Sequence, residues 1–188
     1  MALGSSPLGF ESVGLSPYLR RLRAVVGHDL LLLPSVALLL WDDGERLLLV
    51  REAQTTLWQT VGGAIEPDES PADAAMREAA EKAGVIVRLS NIRAVLGGPQ
   101  YRITYPNGDR VSYVSTVYDA RVIDGEPRAD AVETSDVGWF SPEELDGAEL
   151  STFTRVLLEA AGVLSPRRAR AAPVSAQDIY GETWIDQS

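Results

Sequence analysis

The chain has 188 residues, and its 45% apolar and 23% charged residues are typical of a globular protein with a single core. This composition excludes a largely disordered chain, and the lack of a repeat with a fixed period excludes a collagen-like or coiled-coil rod. With 27 acidic and 17 basic residues the net charge is −10, which argues against a nucleic-acid polymer as the partner but is compatible with a small anion neutralised by a metal cation.

The residue types that the sequence lacks restrict its chemistry. It has no cysteine, so disulfides and thiolate zinc sites are excluded, and its single histidine, His28, argues against a histidine-based catalytic triad or a multi-histidine metal site. Catalysis would have to use carboxylates, arginine, backbone groups and a metal ion. Residues 1–8 do not resemble a signal peptide, and the apolar run at 30–41 is too short to span a bilayer. We therefore expect a cytoplasmic protein that does not engage a membrane.

Cap and turn signals divide the chain into helices and strands. Ser16 and Ser70 each precede a proline and are typical helix N-caps, and Gly27 and Gly84 are typical helix stops. The pattern predicts an α+β fold, with a mixed sheet and N-terminal, central and C-terminal helices. In chain order we predict a helix between Ser16 and Gly27, a hairpin of strands at 30–41 and 46–51, a glycine-rich loop at 58–69, a helix at 70–83, β-rich segments at 85–96 and 101–105, strands at 111–122 and 137–140, a helical turn at 141–145 and a helix at 152–161.

The segment from residue 62 to 85 combines glycine and acidic residues in a way that suggests chemistry. A Gly-Gly turn precedes two loop acids and a helix on which Glu78 and Glu81, three residues apart, lie on the same face beside Arg77. Carboxylates near a flexible backbone, without His or Cys, suit a hard cation such as Mg²⁺ or Mn²⁺, which commonly serves phosphate chemistry. The alternative for an arbitrary acidic helix is a solvated surface.

The spacing in this segment resembles the signature of the Nudix (MutT-like) hydrolases. That signature is Gly, five residues, Glu, seven residues, Arg-Glu, an apolar residue, any residue, Glu-Glu, any residue, Gly and an apolar residue. One position departs from it, because Lys82 stands where the second Glu of the pair is expected. The similarity continues at 57–58 and 139–145. The matching positions are Gly63, Glu69, Arg77, Glu78, Ala79, Glu81, Gly84 and Val85.

The resemblance implies a Nudix α/β/α sandwich over residues 29–162, with an N-terminal extension at 1–28 and a tail at 163–188. It also implies hydrolysis of the diphosphate linkage in a nucleoside diphosphate derivative by water that Mg²⁺ or Mn²⁺ activates. Arg77 would orient the glutamates through charge-assisted hydrogen bonds. The metal ligands that the resemblance implies are the Gly63 carbonyl, Glu78 and Glu81, with Glu69 or Glu66 as a further ligand or as a group that orders the loop.

Residues outside the signature are candidates for substrate contacts. Arg51 could contact a phosphate or be an edge-strand arginine. An acid from a late loop, Glu133 or Asp136, is a candidate ligand or base, against a role in loop solubility. Tyr101, Tyr105 and Trp58 are candidates for stacking on a base, against packing in the core. The substrate contacts that we predict are Arg51, Glu66, Tyr101 and Glu133.

Lys82 leaves two functions open. An ammonium among metal ligands repels a divalent cation, and its i, i+4 spacing lets it pair with Glu78, whereas the same ammonium could instead contact a substrate phosphate. The sequence predicts a metal-dependent Nudix pyrophosphohydrolase, attenuated if Lys82 weakens the metal site. The alternative is an impaired Nudix-fold module that binds a nucleotide or sugar nucleotide. The expected partner is a small nucleotide-type substrate, and a homodimer is left open. Tyr180 and Trp184 could dock a tail that is otherwise expected to be mobile.

Overall fold

The computed structural model describes residues 16–53, 57–105 and 107–166. The predicted docking of the tail through Tyr180 and Trp184 lies outside these residues. A short 3₁₀ turn at Pro99–Tyr101 precedes the strand Arg102–Thr104. The helices and strands are α1 Pro17–Val26, β1 Leu31–Trp41, β2 Leu47–Glu52, β3 Trp58–Ala64, α2 Pro71–Ala83, β4 Ile86–Leu96, β5 Arg102–Thr104, β6 Arg110–Asp124, β7 Thr134–Phe140, α3 Pro142–Gly147 and α4 Thr152–Ala160.

Seven strands in the described part of the chain form one mixed sheet in the order β4-β6-β1-β3-β2-β7, with β5 paired to β6. The two longest apolar strands, β1 and β6, run parallel, and the remaining pairs are antiparallel. The predicted hairpin between β1 and β2 exists at its turn alone, because the two strands pair at Trp41 and Leu47 and then diverge. In the sheet β3 lies between β1 and β2 and pairs with both. β1 and β2 are buried on both faces, and each has a hydrogen-bonded strand on either side.

Helices cover both faces of this sheet, which is the α/β/α arrangement predicted. β1 alternates between the faces: Val36 and Leu38 pack in the cluster that contains α2, and Ala37 and Leu39 pack in the cluster that contains α4. The helix α2 contributes alanines to its cluster, so its backbone can lie close to the sheet. The helix α4 contributes leucines and aromatic contacts instead. None of the helices described is both long and apolar enough to cross a membrane.

The helix α1 contributes no buried residue and is held mainly by polar contacts. Arg23 and His28 reach the Asp109 carboxylate, with Arg23 Nε 3.5 Å and His28 Nδ1 2.7 Å from its Oδ1. Burial alone would raise the pKa of Asp109, but hydrogen bonds with His28 and Asn107 and the charge of Arg23 lower it below its usual value. This cluster fastens α1 to the turn between β5 and β6.

Candidate functional site

The site begins where β3 meets α2, and two glycines make that approach close. A Cβ on Gly62 would overlap the backbone of Val36 in β1, and a Cβ on Gly63 would overlap the carboxylate of Glu78. The helix α2 begins at Ser70, whose hydroxyl accepts a hydrogen bond from the Asp73 N–H, and ends at Gly84 in the left-handed conformation. These local signals confirm the predicted helix. They place its Glu78 face directly against the Gly-Gly backbone.

Arg77 is the centre of a dense hydrogen-bond cluster. Its Nε and one NH2 hydrogen chelate the two carboxylate oxygens of Glu69, at 2.8 and 3.0 Å. Its NH1 donates to Glu78 Oε1 and to Glu81 Oε2, both at 2.9 Å, and its NH2 also donates to the Ala64 carbonyl at 3.1 Å. All five guanidinium N–H donors are therefore used within the protein. The geometry matches the orienting role that the resemblance implied for Arg77.

The same cluster orders the loop that leads into α2. The Arg77 side chain lowers the pKa of Glu69 through its hydrogen bonds, against the opposing effect of burial. The pKa of Arg77 is raised, first by Glu69 and, after the opposing effect of burial, by Glu78. Glu69 also accepts a hydrogen bond from the Glu66 backbone N–H at 3.1 Å. Glu69 thus closes the loop, which corresponds to the loop-ordering alternative for this residue.

The Glu78 carboxylate is buried, and its two oxygens have different surroundings. The residue is 5% exposed, and Arg77 holds its Oε1. Its Oε2 is buried and has no hydrogen-bond partner among the described residues. A buried carboxylate oxygen in this state is costly unless positive charge lies nearby. The nearby atoms that can coordinate a metal ion are carboxylate and carbonyl oxygens. Such ligands fit Mg²⁺ or Mn²⁺.

Lys82 places its ammonium beside that oxygen. Its Nζ donates to the Gly62 carbonyl at 3.0 Å and lies 3.6 Å from Glu78 Oε2, so the predicted i, i+4 pair is confirmed. Nζ also lies 3.7 Å from Glu133 Oε2. Within the described residues no three acidic or imidazole groups form a ready-made metal cluster. Arg77 lies between Glu78 and Glu81, and Lys82 lies between Glu78 and Glu133. These two side chains supply the positive charge between the carboxylates.

Of the two late-loop acids, Glu133 is the one that the structure brings to the site. Asp130 shapes its loop by accepting hydrogen bonds from the backbone N–H groups of Glu133 and Thr134, at 3.0 and 2.8 Å. Burial would raise the pKa of Asp130, but these bonds lower it overall. Asp136 instead lies exposed on β7 and accepts a hydrogen bond from the neighbouring Val137 N–H. The late loop therefore contributes Glu133 and not Asp136.

The position of Tyr101 contradicts the prediction that this residue contacts the substrate. Its side chain is 1% exposed and packs edge-on against Phe153, with ring centroids 5.6 Å apart. A side chain buried in the α4 core offers no face to a base, so the packing alternative holds for Tyr101. Trp58 is 8% exposed and packs edge-on against Phe140, at 4.8 Å, so it is also a core residue.

Arg51 lies over the Trp58 ring, with its guanidinium carbon 4.5 Å from the ring centroid. The alternative of an edge-strand arginine is wrong, because β2 lies between β3 and β7. Its buried Nε has no hydrogen-bond partner among the described residues, so Arg51 keeps a donor that the protein itself does not use. This leaves the predicted phosphate contact as a proposal.

Sequence reasoning identified one member of a tyrosine pair, Tyr105, and missed the other, Tyr113. The hydroxyls of Tyr105 and Tyr113 are 2.9 Å apart. Burial raises the pKa of Tyr113. Tyr105 was a candidate because it is aromatic and close to a turn. Tyr113 lies within β6 and no motif marks it, so the sequence carried no signal for its contact with Tyr105.

Comparisons with known proteins point to one protein family. A family model described as the NUDIX domain matches residues 31–160. The chain is 28% identical over 104 residues to a Bacillus subtilis (strain 168) protein named "Putative 8-oxo-dGTP diphosphatase", a match that covers 55% of this chain and 63% of that protein. It is 29% identical over 119 residues to a "MutT-like protein" of Streptomyces ambofaciens, with 63% and 70% covered. The chain thus spans less than two thirds of the Bacillus subtilis protein.

A solved structure extends the likeness to three dimensions. The MutT NUDIX hydrolase from Burkholderia pseudomallei superimposes with a TM-score of 0.57 at 27% identity, over 69% of this chain and 97% of that one. The mixed sheet and its flanking helices are therefore the fold of an α+β Nudix protein. Together with a family model that matches most of the chain, this similarity shows that the protein belongs to the Nudix hydrolase family.

Proposed function

We propose that this protein is a metal-dependent Nudix pyrophosphohydrolase that cleaves the diphosphate linkage of a nucleoside diphosphate derivative. The observation that carries the proposal is the Glu78 carboxylate. It is buried against the backbone of Gly63, Arg77 fixes one of its oxygens, and the other has no hydrogen-bond partner among the described residues. The family membership supports diphosphate hydrolysis as the reaction class.

Each residue of the cluster has a role in this proposal that follows from its contacts. Arg77 is a positioning residue, because its five donors are used on protein oxygens and none remains for the substrate. Glu78 Oε2 is the group that would hold the cation or accept a proton from the attacking water. Glu81, whose side chain is 59% exposed, and Glu133 offer carboxylates on either side of it.

When bound, Mg²⁺ or Mn²⁺ would neutralise charge on the phosphate oxygens and lower the pKa of a water molecule. The residues that would hold it are Glu78, Glu81 and the backbone carbonyl of Gly63, with Glu133 as a further ligand. Glu69 is less suited to direct binding, since both of its oxygens already accept from Arg77.

Glu78→Gln is the decisive test of this proposal. The amide keeps the size of the side chain but removes the negative charge and the basic oxygen. We expect turnover to fall by at least about 10²-fold, with an unchanged circular dichroism spectrum. Phosphate release would be measured with a panel of nucleoside triphosphates, dinucleotides, ADP-ribose and nucleotide sugars, in Mg²⁺ and in Mn²⁺. Wild-type turnover in the variant would refute the assignment of Glu78.

The position of Lys82 favours one second candidate, a Nudix-fold module that binds a nucleotide or sugar nucleotide without turnover. Its ammonium already compensates the carboxylate on which the metal depends. In that case no compound of the panel is hydrolysed, and one of them raises the melting temperature of the protein progressively as its concentration exceeds its dissociation constant. Turnover of any panel compound that is lost in Glu78→Gln decides for the enzyme.

A further inference from the structure

Lys82 lies at the meeting point of three separate segments. The oxygens around its Nζ come from the Gly62 carbonyl at the end of β3, from Glu78 on α2 and from Glu133 in the loop before β7. The distances are 3.0, 3.6 and 3.7 Å, so one contact is a hydrogen bond and two are looser ion pairs. One carbonyl and two carboxylates from different segments form the kind of oxygen set that a hard cation binds.

We infer that the Lys82 ammonium is a tethered cation, which takes the place of one divalent ion at the Gly62, Glu78 and Glu133 oxygens. The inference rests on the proposed function in one respect, since it presumes that a metal ion is used at this site. It goes beyond that function because it identifies Lys82 as the residue that decides whether the folded protein requires a metal ion. The site would be assembled before any metal binds, and it would bind fewer divalent ions than its carboxylates alone suggest.

The charge around Glu78 carries the first step of the argument. The Glu78 side chain is 7% exposed, and its Oε2 lacks a hydrogen-bond partner among the described residues. Arg77 compensates the charge at Oε1, and the nearby Lys82 ammonium compensates the charge at Oε2. A buried carboxylate without such compensation strongly destabilises a protein. Lys82 therefore lets the folded state exist without a metal ion.

The attachment of the late loop carries the second step. The hydroxyl of Thr134, which is 2% exposed, donates to the backbone carbonyl of Lys82 at 3.1 Å. Asp130 Oδ1 lies 3.0 Å from the same hydroxyl and shares its single hydrogen with the Lys82 carbonyl, and Asp130 also accepts from the Thr134 N–H. The Thr134 hydroxyl thus links the Glu133 loop to the end of α2, while Asp130 shapes the loop from within. No metal ion is needed to bring Glu133 to the site.

Three substitutions at one position test the inference, on the full chain and without nucleotide. Lys82→Met removes the charge with little change in length, Lys82→Glu reverses it, and Lys82→Arg keeps it. The matched control is Arg88→Met, which changes the net charge equally at an exposed position on β4. The measurements are the number and affinity of bound Mn²⁺ ions by titration, and the melting temperature in a chelator and in Mg²⁺.

We expect the wild type, Lys82→Arg and Arg88→Met to melt at nearly the same temperature as one another in the chelator, and Mg²⁺ to raise all three by the same small amount. Lys82→Met should melt several degrees lower in the chelator and recover in Mg²⁺. Lys82→Glu should bind one more Mn²⁺ ion than the wild type, or bind it at least tenfold more tightly. Equal Mn²⁺ binding and equal chelator sensitivity in the wild type and all variants would overturn the inference.

These readouts separate the inference from the proposed function. Mn²⁺ binding and melting temperature require no turnover, so a negative substrate panel refutes hydrolysis and leaves the Lys82 result to stand by itself. Conversely, an active wild type that binds as many Mn²⁺ ions, and as tightly, as Lys82→Glu supports hydrolysis and overturns the tethered cation.

Discussion

Two cations on the same helix, Arg77 and Lys82, meet their carboxylates in different ways. Arg77 makes five hydrogen bonds of 2.8–3.1 Å to Glu69, Glu78, Glu81 and the Ala64 carbonyl. Lys82 makes one hydrogen bond of 3.0 Å, to a carbonyl, and approaches Glu78 and Glu133 at 3.6 and 3.7 Å. The planar guanidinium binds several partners in fixed directions, whereas the ammonium acts as a mobile point charge. The Arg77 half of the site, with Glu69, Glu78 and Glu81 around the guanidinium, is therefore held rigidly. In the Lys82 half, around Nζ, a divalent cation can replace the ammonium.

The largest effect that this comparison predicts comes from Gly63→Ala. The added Cβ would overlap the Glu78 carboxylate, which Arg77 and its burial prevent from simply moving aside. We expect turnover to fall by about 10²-fold or more, because a displaced carboxylate no longer meets the cation or the water. Activity on the best panel substrate and the melting temperature would both be measured.

The matched control for Gly63→Ala is Gly147→Ala at the end of α3, where nothing lies within 4 Å of the added Cβ. The control should retain full activity. If Gly63→Ala retained it as well, Glu78 would be able to shift without cost, and the Arg77 half of the site would not be rigid.

The second prediction compares the two cations directly, through Arg77→Lys and Lys82→Arg. Lysine at position 77 keeps the charge but has three donors and cannot chelate Glu69, so several hydrogen bonds to charged groups are lost. We expect Arg77→Lys to reduce the free energy of unfolding by about 3 kcal/mol, and Lys82→Arg by less than about 1 kcal/mol. Urea denaturation of both variants checks this. Equal losses would mean that the two halves of the site do not differ in rigidity.

The helix that carries both cations could be predicted because its signals are local. Ser70 and Gly84 satisfy backbone groups at the two ends of α2, and the three-residue spacing of Glu78 and Glu81 places them on one face. The sheet order could not be predicted in the same way. The apolar runs of β1 and β2 indicate burial but not the partner, and β1 pairs with β6 across about 80 residues of chain.

The part of the site that depends on spacing within one helix could be predicted from the sequence. Arg77, Glu78 and Glu81 lie within one helix, and the structure brings them together. The approach of Glu133 to Lys82 depends on a loop that Asp130 folds through its own hydrogen bonds, and no motif marks that loop. Tyr101 failed as a substrate contact because an aromatic residue is compatible with both a binding face and a core.

The smallest effect concerns a carboxylate with cationic partners that lies outside the site. Asp109 meets Arg23 and His28, and its pKa lies below the usual 3.8. A lowered pKa in the folded state stabilises the protein above the unfolded value, and this contribution is lost as the pH falls through the lower folded value. We expect Asp109→Asn to reduce the free energy of unfolding by about 1 kcal/mol at pH 5. The difference from the wild type should shrink as the pH falls below 3.8.

Asp29→Asn is the matched control, because the Asp29 side chain is 85% exposed and lies 3.7 Å from Arg110. Such an exposed pair contributes little to stability, so this variant should follow the wild type at every pH. Neither substitution should change turnover or Mn²⁺ binding, since both residues lie at the docking of α1 and not on α2. A loss of Mn²⁺ binding in Asp109→Asn would contradict the division of the molecule into a site held by Arg77 and Lys82 and a separate anchor for α1. The pH range below 3.8 is the useful one, because the Asp109 carboxylate loses its charge there.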